Sequence, residues 1–147
     1  PLLELGAAHV LNSESEGFSA ALKDLMRAEK PRIFLDAVAN QTSAAIFDSM
    51  PNRSRWVIYG KLDRELPTLM QPGQMIFQSK SIEGFWLTRW MTETPMAEKF
   101  SVVQAAQMRF ASGAWSTDVT AIVPLADAME TLPVELAKPN GKVFIKP

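Results

Sequence analysis

Between residues 18 and 59, short apolar runs alternate with amphipathic stretches, and this alternation restricts the chain more than any other feature of its sequence. Phe18, Ala21, Leu22, Leu25 and Met26 recur at helical spacing, one stripe facing a core over residues 18–29. Pro31 cannot continue that helix, and Ile33-Phe34-Leu35-Asp36-Ala37-Val38 reads as a buried strand. Asn40, Gln41 and Thr42 can cap a second helix, predicted over 42–50 with Ile46, Phe47 and Met50 inward. After the Pro51-Asn52 turn, Trp56-Val57-Ile58-Tyr59 is the next apolar strand, and it ends at Gly60. Buried strands alternating with helices define parallel α/β winding.

The flanks extend the pattern. Leu2 to Gly6 reads as the last turn of a helix stopped by Gly6, and Ala8-His9-Val10-Leu11 as a short buried strand over 8–12. Residues 61–73, with Pro67, Pro72 and Gly73, form a loop. Met75 to Gln78 opens another apolar strand, extending toward Ile82. Thr94 and Pro95 start a helix that runs to about Ser112 with Met96, Phe100, Val103, Ala106 and Phe110 inward. A strand over Val119–Val123, a helix over Leu125–Leu132 and a strand over Lys142–Ile145 complete the chain, the last preceded by a Pro139-Asn140-Gly141 turn.

Composition excludes several classes of function. A chain of 147 residues, 47% hydrophobic and 21% charged, supports one sizeable soluble core. A net charge of −1 gives no global footprint for nucleic acid or anionic membrane, and the Trp86-Arg89-Trp90 cluster is too small to supply one. The absence of Cys removes disulfides and thiolate chemistry and agrees with a reducing cytoplasm, the expected location. No apolar run approaches the ~20 residues of a membrane helix. His9 is the single histidine, so no His/Cys metal site forms, and it reads as a satisfied buried or edge residue. The serines lack a positioned His–carboxylate pair, which leaves no hydrolase reading.

Ligands of doubly wound sheets sit beyond the carboxyl ends of the strands. That rule selects Val38-Ala39-Asn40 after one strand and Tyr59-Gly60-Lys61 after the next. Each has a structural alternative: Asn40 as a helix cap, Gly60 as a turn that only glycine allows. Read from the residues alone, Phe85, Trp86 and Leu87 are core and Asn140 is a turn residue.

The strings LGAAHVLN (5–12), IFLDAVANQ (33–41), WVIYGKL (56–62), SIEGFWLTRW (81–90), IVPLADAMETL (122–132) and GKVFIKP (141–147) are collinear. Together they resemble the C-terminal portion of the medium-chain dehydrogenase/reductase superfamily, which contains zinc-type alcohol dehydrogenases and NADPH:quinone reductases. The resemblance implies an incomplete Rossmann-like doubly wound parallel sheet lacking its first two strands, over residues 1–117. It also implies a return segment, 118–147, that packs on a catalytic domain lying upstream of the chain. The seven glycines show no G-x-G-x-x-G spacing, in keeping with a missing phosphate-binding turn.

By this resemblance Val38, Ala39, Asn40, Tyr59, Gly60, Lys61, Phe85, Trp86, Leu87 and Asn140 lie near an NADP or NAD cofactor. The family usually has Gly where Ala39 stands. The implied function is a piece of a nicotinamide-dependent oxidoreductase acting on a small alcohol, carbonyl, quinone or enone, inactive in isolation. Its catalytic residues are unassigned and it holds no metal of its own. The rival reading is a non-catalytic assembly module. The resemblance further implies a homodimer through the strand at 75–82, and no nucleic-acid or membrane partner.

Overall fold

The computed structural model describes residues 2–68, 71–138 and 141–147. They group into two compact units, one ending at Glu93 and the other beginning at Thr94.

In the first unit the helical stripe forms α1 (Phe18–Glu29) and buries Leu22, with Phe18, Leu25 and Met26 half-buried. Lys30 turns left-handed at φ 50° just past its end, and Pro31 blocks any further turn. Strand β1 (Ile33–Asp36) follows, then α2 (Gln41–Ser49) and β2 (Arg55–Ile58). A short helix α3 (Gly73–Phe77) leads to β3 (Ser81–Gly84), and α4 (Leu87–Glu93) closes the unit. The three strands make one parallel sheet in the order β1-β2-β3.

Register decides which side chains share a face. Phe34, Trp56 and Ile82 stand in one row, with Asp36, Ile58 and Gly84 in the next row of that face. Helices α1 and α2 cover this face. Ala44, Phe47, Met50 and Trp56 form the core, with Met26, Phe34, Ile58 and Met75 packed around it. The ring centroids of Phe34 and Phe47 lie 6.0 and 5.4 Å from that of Trp56. Such pairs contribute about 0.5–1.5 kcal/mol each beyond the burial of their area. The opposite face carries Ile33 and Leu35, both exposed, and the Arg55–Glu83 ion pair.

The second unit is built from α5 (Met96–Ala111), β4 (Val119–Pro124), a 3-10 turn at Leu125–Asp127, α6 (Ala128–Leu136) and β5 (Lys142–Lys146). Strands β4 and β5 pair with each other in parallel, joined through α6, with an irregularity between Val119 and Ala121.

Several sequence expectations give way. Residues 8–12 form no strand, and Val10 and Leu11 are exposed. An apolar run alone does not make a strand without a backbone partner beside it. The segment at 75–82 is not one strand: Gln74 and Met75 sit inward on α3, whereas Phe77 is 84% exposed, and only Ser81 onward joins the sheet. Ser79 at φ 53° makes the break between the two. Helix α4 forms where no element was expected, and Phe85, Trp86 and Leu87 are exposed rather than core. Helix α5 forms as expected but buries no residue; Met96 and Phe100 are 73% and 67% exposed. Helix α6 runs past the expected end at Leu132 and includes Pro133. His9 is neither buried nor in a strand: its Nε2 lies 3.3 Å from Glu29 Oε1 at the surface.

Candidate functional site

The turn after β1 is organised by a buried carboxylate. Asp36 ends the strand on its covered face and is 4% exposed. Its Oδ1 accepts from Val38 N at 2.8 Å, both oxygens accept from Ala39 N at 3.2 Å, and Oδ2 accepts from Trp56 Nε1 at 2.9 Å. Burial pushes the pKa of this group up, but bonds from Val38, Ser43, Ala39 and Trp56 outweigh it and hold the carboxyl below its usual value. Ala39 is left-handed, at φ 55°. An L-residue with a Cβ meets a steric cost of about 1–2 kcal/mol there, which glycine avoids.

Asn40 is the N-cap of α2. Its Oδ1 accepts from Ser43 N at 3.2 Å, and the Ser43 hydroxyl accepts from Asn40 N at 3.4 Å, a reciprocal capping box. The same side chain reaches the next loop, where Nδ2 donates to Asp63 Oδ2 at 2.9 Å. Glu65 N and then this Asn40 bond lower the pKa of Asp63.

The loop after β2 lies directly against the loop after β1. Leu62 N donates to Ala37 O at 3.0 Å and Asp63 N to Val38 O at 3.4 Å. A Cβ on Gly60 would stand 2.7 Å from Ala37 O and 3.1 Å from Ala37 Cα, so only glycine lets the two loops close to this distance. Lys61 turns its ammonium onto the backbone carbonyls of Asp63 and Glu65. The third loop joins through Phe85 N, which donates to Ile58 O at 2.8 Å. Tyr59, Phe85, Trp86 and Leu87 are all exposed at this end of the sheet.

Nine sequence-selected residues therefore occupy one edge of one sheet: Val38, Ala39, Asn40, Tyr59, Gly60, Lys61, Phe85, Trp86 and Leu87. Asn140 lies outside the described residues. Sequence reasoning missed three that organise the edge: Asp36, Trp56 and Asp63. The available signal was a lone carboxylate at the end of an apolar strand and next to a helix start, where negative charge is favoured.

Exposed aromatic and aliphatic side chains offer a wall to a flat uncharged ring. The Ser43 amide in the first turn of α2 is taken by the Asn40 side chain, and Lys61 is engaged by its own loop, so neither is free for an anion. Among the described residues no group of three or more His, Cys, Asp or Glu could hold a metal ion. Among the described residues, too, no helix is long and apolar enough to cross a membrane.

A parallel sheet with laced loops at its carboxyl edge defines the class: a Rossmann-like cofactor-binding domain. The zinc-binding dehydrogenase family model matches residues 2–102, and the chain belongs to that family, within the medium-chain dehydrogenase/reductases. A Mesorhizobium loti protein assigned to the NADPH:quinone reductases is 53% identical over 99% of this chain, with a TM-score of 0.91. The mitochondrial enoyl-[acyl-carrier-protein] reductase of Dictyostelium discoideum is 31% identical over 71% of the chain. A mitochondrial 2-enoyl thioester reductase heterodimer from Candida tropicalis, 18% identical over 97% of the chain with a TM-score of 0.76, shares the fold. The chain spans 42% of the Mesorhizobium protein's length, 29% of the Dictyostelium relative's and 42% of the Candida protein's.

Proposed function

We propose that this chain supplies the nicotinamide-facing platform of an NADP-dependent oxidoreductase that reduces a small quinone or enone. The observation that carries the reading is the lacing of the β1 and β2 loops, Leu62 N to Ala37 O at 3.0 Å, at the carboxyl edge of a parallel sheet. The names of the Mesorhizobium and Dictyostelium relatives support a reductase, and the former supports NADP over NAD. A bound nicotinamide supplies the hydride. This chain's part is to orient the ring between the loops and to shield it with Tyr59, Phe85, Trp86 and Leu87. Val38, Ala39 and Gly60 bring backbone close to the ring, and Asn40 keeps their loop attached to α2.

Without a G-x-G-x-x-G turn the platform lacks donors for the pyrophosphate, so affinity is weak. NADPH titrated into the isotopically labelled chain is expected to move amide resonances at 38–40, 59–61 and 85–87, with Kd above about 1 µM. Unmoved resonances at these positions, or submicromolar binding, would overturn the reading. The chain alone is expected not to turn over NADPH.

A second reading, an assembly module, is favoured by one observation: among the described residues β3, like β1, is an edge strand of the three-stranded sheet, and it is flanked by exposed aromatic residues. The proposed contact is a homodimer through Ser81–Gly84, flanked by exposed Phe85 and Trp86.

A further inference from the structure

Asp36 stands behind the proposed cofactor platform, buried beneath it on the helix-covered side of the sheet. The loop at 37–40 is gripped from two directions. From inside, Asp36 takes the amide hydrogens of Val38 and Ala39. From outside, the carbonyls of Ala37 and Val38 are held by Leu62 N and Asp63 N. Trp56 Nε1, itself fixed in the core, donates to the same carboxylate and ties the grip to β2.

We infer that Asp36 is a positioning residue: it holds Ala39 left-handed and thereby fixes the platform formed by the loops after β1 and β2. The inference rests on the proposed function for what that platform is for. A carboxylate suits the task because it accepts several hydrogen bonds and donates none. Two backbone amides and an indole N–H converge on it. An Asn side chain there would set its own NH2 group against one of those donors. Ala39 needs such a hold because its Cβ disfavours φ 55°, a conformation that Gly adopts freely. Removing the grip lets residue 39 relax toward ordinary backbone angles. The laced partners Leu62 and Asp63 then lose their register with it.

The test uses the full 147-residue chain, labelled for NMR. In the unmodified chain the Val38 and Ala39 amides should exchange roughly 100-fold slower than unprotected amides, despite lying in a loop. In Asp36→Asn the Trp56 Nε1–H resonance should move, and exchange at Val38, Ala39, Leu62 and Asp63 should speed up. NADPH affinity should then fall about 10-fold. The double variant Asp36→Asn with Ala39→Gly should bring affinity back to within about 3-fold of the unmodified chain while the Trp56 resonance stays displaced. A residue serving only general stability would show no such rescue.

Fast exchange at Val38 and Ala39 in the unmodified chain would overturn the inference, even if every variant failed to fold. So would an Asp36→Asn chain with a displaced Trp56 resonance and unaltered NADPH affinity. If NADPH moves no loop resonance in the unmodified chain, the proposed function fails. The grip is then judged on exchange at Leu62 and Asp63 alone, where no change between Asp36→Asn and the unmodified chain overturns it.

Discussion

Lys80 holds its ammonium 2.9 Å from the carbonyl oxygen of Phe47, near the end of α2, and also 5.2 Å from the centre of the Phe47 ring. The side chain is 4% exposed. The carbonyls of Phe47 and Asp48 accept from it at 2.9 and 3.2 Å and Gln74 Oε1 accepts at 2.8 Å, while Gln74 Nε2 donates to Asp48 Oδ1. A cation at a helix C-terminus answers the partial negative charge there. This buried network joins α2, α3 and the approach to β3.

Lys80→Met keeps the aliphatic stem and removes the donors. It leaves carbonyls and the Asp48 carboxylate without their cation, a loss of roughly 2–4 kcal/mol. Urea unfolding of the two chains measures it. A difference below about 0.5 kcal/mol would show that water replaces the ammonium without penalty.

Arg55 and Glu83 face each other across β2 and β3, with Nε to Oε1 at 2.8 Å and Nη2 to Oε2 at 2.7 Å. Arg55's hydrogen bonds come first, then Ser81's, in lowering the Glu83 pKa to about 2. Between its ordinary value of 4.5 and about 2, the unfolded chain takes up a proton that the folded chain refuses. The pair's contribution is therefore present above pH 4.5 and is lost as pH falls through about 2. Melting temperature followed from pH 6 to 2.5 should fall less steeply in Glu83→Gln than in the unmodified chain. Added salt should narrow the gap, since both side chains are partly exposed. Parallel curves would remove the pair from any account of acid stability.

Much of the first unit was legible because its signals were redundant. The stripe from Phe18 to Met26, Pro31 and the Asn40 cap each marked α1, β1 or α2, and the elements fell within a residue or two. The run from Met75 to Ile82 carried conflicting signals. Met75 and Phe77 alternate like a strand, yet the burial of Gln74 and Lys80 against α2 decides the fold there, and no local pattern encodes that contact. The α5 stripe reads correctly as helix, but periodicity says which residues share a face and not whether anything covers it. At the candidate site, the position rule picks out loops that the structure brings together. It could not find Asp36, whose partners include two backbone amides and a Trp twenty residues on.

Gly60→Ala is expected to destabilise the chain by about 1–3 kcal/mol, because the added methyl meets the Ala37 backbone at 2.7 Å. The same methyl should part the laced loops and speed amide exchange at Leu62. Thermal unfolding together with exchange at that amide provides the check. An unchanged melting temperature would mean that the loops are not held at this distance.

Ser81 N and Phe85 N donate to β2, so by the alternation of a parallel ladder the Ile82 N–H faces the free edge. Ile82→Pro removes that outward donor and leaves the inner ladder its own. If the proposed homodimer uses this edge, light scattering should show the unmodified chain as a dimer and a folded Ile82→Pro chain as a monomer. A folded variant that still dimerises, or an unmodified chain that is monomeric at high concentration, removes the edge contact.

Every strand pairing among the described residues joins positions 22 to 26 apart: Ile33 with Arg55, Arg55 with Ser81, Val119 with Lys142. Closing loops of such similar length costs nearly the same entropy, the spread amounting to only ~0.1 kcal/mol. Among the described residues no pairing spans a long stretch of chain. In the first sheet each strand therefore pairs with its predecessor in sequence, β2 with β1 and β3 with β2. Strand β2, which carries Trp56, is the common member of both pairings in the first sheet. Its carboxyl-edge loop meets that of β1 across a separation of only 25 residues, Ala37 to Leu62, so this edge is a product of nearby sequence.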